Sequence, residues 1–114
     1  MKWTHLLVSV VAAFALFSTP AWAADKIERT WKSKCASCHG ADGKGATEKG
    51  KKMKIADMTS ADFKAKKDDD MKKAIREGVK SEKDGVKKEM DAFKAEDLKD
   101  DQVDALIAFI KALK

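Results

Sequence analysis

The chain has 114 residues, a formal net charge of +5 and charged side chains at 38% of its positions. That length allows one domain with one core and leaves no room for a second independently folding unit. Pro 1, Gly 6 and Tyr 0 argue against a collagen-like chain, a Pro-rich linker and an all-β sandwich, and the dominance of Ala, Lys, Asp, Glu and Leu favours helices.

The first segment stands apart from this composition. Lys2 is followed by an apolar run from Leu6 to Phe17, and Ser18-Thr19-Pro20 leads into Ala21-Trp22-Ala23, a small-x-small cleavage site. Residues 1–23 are therefore expected to be a secretory signal peptide, cleaved after Ala23. The rival, a retained anchor, is disfavoured because the run falls short of the roughly 20 residues that span a bilayer. No stable membrane insertion is expected. The domain then covers residues 24–114, with 23 basic and 19 acidic side chains and a net charge of +4. It keeps one His, His39, one Trp, Trp31, and no Pro. Large apolar residues are few for a domain of this size, so a staple or a buried cofactor is expected.

The next element is a helix from Asp25 to His39, in which Ile27, Trp31, Cys35 and Cys38 form an apolar stripe opposite Glu28, Arg29, Lys32 and Lys34. It carries Cys35-Ala36-Ser37-Cys38-His39 at its C-terminal end, with Gly40 at the C′ position. A disulfide between Cys35 and Cys38 would close a very short loop and restrain little of the unfolded chain. The spacing Cys-x-x-Cys-His is instead the one that attaches c-type haem. Two thiols three positions apart lie close on a helical turn, where both can add to the vinyl groups of one porphyrin. The adjacent imidazole then serves as the proximal iron ligand. A thioredoxin-like dithiol would need a βαβ frame, and no strand is expected on either side of the motif. A zinc site would need about four ligands, and past these three residues the domain has no further Cys or His.

Gly43, Gly45 and Gly50 mark an irregular, Lys-rich segment after the motif. Thr59 or Ser60 is expected to cap a short turn containing Phe63. Asp68-Asp69-Asp70 then opens a helix that turns Met71, Ala74 and Ile75 inward and stops at Gly78. The last helix starts near Asp100 and Asp101, with Val103, Leu106, Ile107, Ile110 and Leu113 on one face. This is the clearest periodicity in the chain.

With these pieces in place, the sequence resembles the class I, monohaem, soluble c-type cytochromes, especially the small bacterial ones. The resemblance is carried by Lys34-Cys35-Ala36-Ser37-Cys38-His39-Gly40-Ala41-Asp42-Gly43-Lys44-Gly45, by Ala74-Ile75-Arg76-Glu77-Gly78, and by Met90-Asp91-Ala92-Phe93 with Leu98 and the Val103 to Leu113 helix. It spans nearly the whole domain. It implies an all-α cytochrome c fold, with crossed N- and C-terminal helices and short helices and loops enclosing one covalently bound haem c. It also implies one-electron transfer rather than enzymatic turnover.

The residues leave the sixth iron position to Met, Lys or nothing, since no second His exists in the domain. Met53, Met58, Met71 and Met90 are available. Met71 shares a helical face with Ala74 and Ile75 and reads as packing. Met58 reads the same way, and Met53 is the hardest to place. The resemblance assigns the ligand to Met90, in the loop before the last helix. Two departures bear on it. Asp91 stands where the family usually has Pro, which removes a ring that would stiffen the loop. Glu48 stands about where another Pro offers its carbonyl to the proximal imidazole Nδ1–H, a bond that any backbone carbonyl can replace. The expected site is thus Cys35, Cys38, His39 and Met90, with His39 and Met90 on the iron.

Lysines interleaved with acids describe a solvated helical surface better than a nucleic-acid site, and export removes the chain from nucleic acid. Redox proteins with acidic docking surfaces are the expected partners, and the protein is expected to be a periplasmic monomer. Two other functional classes remain: a peroxidase-like catalyst or small-ligand sensor with a labile sixth position, and the dedicated electron acceptor of one dehydrogenase.

Overall fold

A computed structural model describes the backbone of residues 21–114 and the side chains from residue 24 onward. The expected export segment therefore lies outside the described residues, apart from the backbone of its last three. Six helices and one hairpin follow in chain order: α1 (Ala21–Lys34), α2 (Ala36–His39), α3 (Glu48–Met53), α4 (Ala61–Lys64), α5 (Asp68–Glu77), β1 (Val79–Lys83), β2 (Val86–Met90) and α6 (Asp100–Lys111).

The core forms where the amphipathic faces of α1, α5 and α6 meet. Val103, Leu106, Ile107 and Ile110 recur along α6 and are all buried, as are Met71 and Ile75 on α5. Trp31 of α1 is 1% exposed and stands 5.6 Å from the Phe109 ring of α6, tilted by 47°. Burying side chains of this size contributes about 1.5–3 kcal/mol each, against the entropy of ordering them.

Charges set the register between α5 and α6. Lys111 pairs with Asp68, Lys72 with Asp104 at 2.9 Å, and Arg76 with Asp100 at 2.7 Å. Positions 68, 72 and 76 ascend one face of α5 while 111, 104 and 100 descend α6, so the two helices run antiparallel. Both begin with aspartates, which suit the positive end of a helix dipole. At α6, the Gln102 side chain accepts the Lys99 N–H at 2.9 Å.

Three expectations are corrected here. The fold is helix-rich but not all-α, because residues 79–90 form an antiparallel hairpin that pairs Val79 with Met90 and Lys83 with Val86. Its turn is Asp84-Gly85, with φ of 52° and 76°. Two positive φ values in a two-residue loop match the strand twist, and Asp-Gly tolerates them best. The glycine-flanked segment after the motif is also not wholly irregular. Thr47 caps α3 by accepting the Gly50 N–H at 2.9 Å, so a helix forms despite Gly50 within it. Finally, the first helix breaks at Cys35, with φ −122° and ψ −37°, and resumes as α2. The Cys35 N–H still reaches the Trp31 carbonyl at 2.9 Å, so the break is a kink rather than a loop. The short turn at Phe63 is α4, and of the two expected caps it is Ser60 that accepts the Phe63 N–H, at 3.2 Å.

Candidate functional site

The motif sits at the end of a helix that the core holds firmly. α2 ends at Gly40, whose N–H bonds to the Ala36 carbonyl at 2.8 Å. From there the chain folds back on itself. The Gly45 N–H donates to the His39 carbonyl at 2.8 Å, and the Thr47 hydroxyl donates to the Cys38 carbonyl at 2.5 Å. Thr47 thus ties α3 to the motif with one side chain, and Gly50 packs so near the Cys38 carbonyl that a Cβ would lie 2.7 Å from it. Sequence reasoning missed Thr47. Its only signal was a capping residue placed before Glu48.

Cys35, His39 and Met90 open onto one cavity, together with Trp31, Met58, Phe63, Met71 and Ile75. Its walls are overwhelmingly apolar, and the space inside, mouth included, is about 870 Å³. A second cleft shares Cys35, His39, Lys66, Val79, Met90 and Phe93 with it and adds Cys38, Met53 and a rim on which Lys34, Lys49 and Lys88 outnumber Glu89 and Asp91. All four expected site residues therefore line this second cleft, and Cys35, His39 and Met90 line the inner cavity as well.

Placement differs from expectation in two respects. Met90 is the last residue of β2 rather than part of a loop, half-buried and paired across the hairpin with Val79. The His39 Nδ1 is buried without a hydrogen-bond partner, so the expected bond to a backbone carbonyl near Glu48 is not made. Met58 and Met71 are both buried members of the core and also line the inner cavity. Met53 borders only the outer cleft.

Electrostatics at the motif follow from burial. Loss of water pushes the Cys35 thiol up to about 11, with Lys34 offsetting and Cys38 adding to the shift. Burial lowers the His39 pKa, favouring the neutral imidazole that a metal requires. Neither thiol is bridged. Among the described residues no group of three or more His, Cys, Asp and Glu could hold a metal ion directly. What the cleft offers is a slot with apolar walls, two thiols at one edge, an imidazole and a thioether. The Trp31 Nε1 is a further buried donor with no partner, 6.0 Å separating its ring from that of His39. A soft N/S donor set in an apolar slot suits iron carried in a flat macrocycle, and suits a hard cation poorly.

A helical frame presenting Cys-x-x-Cys-His to an apolar slot defines a c-type cytochrome domain. The family model described as cytochrome c oxidase, cbb3-type, subunit III matches residues 23–110, and the chain belongs to that family. No curated protein and no solved structure matches it. A c-type cytochrome domain takes haem c, works in haem-based electron transfer and meets redox partners; the monohaem class I type is compatible with this assignment. No helix among the described residues is long and apolar enough to cross a membrane.

Proposed function

We propose that this chain is a periplasmic electron carrier, exported by residues 1–23, that holds one haem c through Cys35 and Cys38 with His39 and Met90 as axial ligands. The observation that carries the reading is the single cleft that Cys35, Cys38, His39 and Met90 all line. The family match beginning at residue 23, beside the expected cleavage site, supports the boundary at Ala23.

Bound haem c supplies a reversible one-electron change between ferrous and ferric iron. The chain's own residues do the rest. Cys35 and Cys38 would hold the ring by two thioethers, which would remove the titration of the thiols. His39 would give a nitrogen ligand whose neutral form burial already favours. Met90 would give a soft, neutral sulfur that favours the ferrous state. Trp31, Met58, Met71 and Ile75 would exclude water from the inner wall. With His39 and Met90 both held to the iron, the group would pass electrons and admit no small ligand, which separates a carrier from a catalyst. The lysines on the outer rim supply positive charge where an acidic partner would dock.

The test is an optical spectrum of the purified mature protein in both redox states, with and without carbon monoxide, alongside its mass and a redox titration. The reading expects a mass of residues 24–114 plus one haem, a weak far-red band in the ferric state and no carbon monoxide binding at neutral pH. Ready binding of carbon monoxide would replace the carrier by a sensor or catalyst. A second reading, association with an oxidase, is favoured by the family to which the chain belongs, cbb3-type cytochrome c oxidase subunit III; co-purification with a membrane oxidase would select it.

A further inference from the structure

The segment between Met90 and α6 has no regular structure, yet it sets where the Met90 sulfur lies. One side chain fastens both of its ends. Arg76, in the last turn of α5, donates from Nη1 to the Phe93 carbonyl at 3.2 Å and to the Leu98 carbonyl at 2.5 Å. Its Nη2 meets the Asp100 carboxylate at 2.7 Å, on the first residue of α6. Its side chain is 20% exposed while that of Asp100 is 84% exposed. The ion pair on its own is therefore worth little. The two carbonyl contacts matter more, because they join residues 93 and 98 to a helix anchored by buried Met71 and Ile75. Only one other hydrogen bond ties this segment to α5, the Phe93 N–H to the Ile75 carbonyl at 2.8 Å.

We propose that Arg76 is a positioning residue that keeps Met90 on the iron by clamping residues 93 and 98 to α5, an inference that rests on Met90 as the sixth ligand. Asp91 supplies no ring to stiffen the segment, so its rigidity has to come from elsewhere. A guanidinium is suited to this: it is planar, always charged, and carries five donors in a fixed fork. Lys could reach one carbonyl but not hold both and Asp100 with the same geometry. Without the clamp, two carbonyls lose a charge-assisted partner and the segment gains freedom. A neutral thioether competes weakly for ferric iron, so that freedom is read out as ligand loss.

The experiment compares the ferric holoprotein with R76Q and R76K by titration with imidazole, which competes with Met90 and bleaches the far-red band. Global unfolding in guanidinium chloride and amide exchange of Phe93 are measured on the same samples. R76Q is expected to bind imidazole about tenfold more tightly or better, the equivalent of one lost charge-assisted hydrogen bond. Its Phe93 amide exchanges faster, and R76K lies between it and the parent. An R76Q protein less stable overall but with unchanged imidazole affinity and unchanged Phe93 exchange would overturn the proposal, since a merely structural role predicts that pattern. Should R76Q fail to accumulate, R76K alone decides: parental affinity and exchange overturn the clamp, and raised values support it. If the parent itself has no far-red band and binds imidazole freely, the Met90 reading falls and the clamp with it, a result distinct from a band that Arg76 does not influence.

Discussion

The helical half of the molecule and the hairpin differ in how they are held. α1, α5 and α6 bury Trp31, Ile75, Leu106 and their neighbours against one another, whereas every residue of β1 is exposed and β2 alternates between half-buried and exposed. The proposed haem contacts divide along the same line. Cys35, Cys38 and His39 lie on the helical side and Met90 ends β2, although all four side chains are themselves half-buried. Local stability in proteins is uneven, and exchangeable ligands belong where it is low. The proposed covalent and proximal side would thus be built for permanence. The distal side depends on a few fastenings: the Phe93 to Ile75 bond, the Arg76 clamp and the close approach of Gly78 to Met90.

The largest effect is expected on the permanent side. Replacing both Cys35 and Cys38 by Ala removes covalent attachment, and with it the flat apolar body that the small core packs against. The double variant should carry no acid-stable haem and show little cooperative unfolding, measured by mass spectrometry and by circular dichroism on heating. A cooperative transition like the parent's would mean that the helical half folds without cofactor. That outcome would break the contrast.

On the exposed side the change should be local. Met90→Ala is expected to abolish the far-red band, lower the potential and admit carbon monoxide, while helix content stays at the parent's level. Met53→Leu, Met58→Leu and Met71→Leu should keep the band. Its loss in Met53→Leu alone would move the ligand to the outer cleft.

How far the sequence disclosed these two halves follows from the kind of signal each carries. α5 and α6 were legible because their apolar residues recur at helical spacing and their first turns are acidic. The Cys-x-x-Cys-His pattern stood out because it is local to five residues, and the cytochrome c family that it pointed to is the one the chain belongs to. The hairpin was not: Lys80, Glu82, Lys87 and Glu89 leave it almost without an apolar face, so periodicity had nothing to detect. Its one signal was Asp84-Gly85 between two valine-led runs, a hairpin turn that was there to be read. Arg76 and Thr47 escaped for another reason. Each acts on backbone carbonyls far along the chain, 17 and 22 residues away for Arg76 and nine for Thr47, and no residue pattern encodes such a partner.

Two glycines sharpen the difference between the tip of the hairpin and its base. Gly78 and Gly85 have φ of 75° and 76°, but Gly78 adds a ψ of 179°, backbone that essentially only glycine adopts, whereas an alanine at Gly85 meets a positive-φ strain of about 1–2 kcal/mol. Their surroundings differ. A Cβ on Gly85 meets nothing within 4 Å, whereas on Gly78 it would lie 2.6 Å from the Met90 carbonyl and 2.9 Å from the Ala92 nitrogen. Gly85→Ala should lower stability by that strain alone and leave the far-red band intact. Gly78→Ala should cost more, above roughly 2 kcal/mol, and weaken the band because it displaces the strand end that carries the sulfur. Denaturant titration and the ferric spectrum together check both. Equal effects would show that the hairpin base positions nothing.

The smallest effect concerns pH. The Arg76 hydrogen bond, and then its charge, holds the Asp100 carboxyl below its ordinary range, with Lys72 adding to this and partial desolvation opposing it. A carboxyl whose folded pKa is depressed stabilises the fold above its unfolded value of about 3.9, and that contribution is lost as pH falls through the folded value. Because Asp100 is fully open to solvent, salt screens the pair and the contribution is slight. Acid should therefore soften the parent slightly more than Asp100→Asn between pH 5 and the folded pKa of Asp100. The gap should close at high salt, as followed by denaturation midpoints. Over the same interval the affinity of the parent for imidazole, counted on its neutral form alone, should rise toward that of Asp100→Asn, because a protonated Asp100 no longer aims the guanidinium at the Phe93 and Leu98 carbonyls. An affinity that does not change with pH, beside a stability that does, would leave Asp100 as a surface charge and assign the clamp to Arg76 alone.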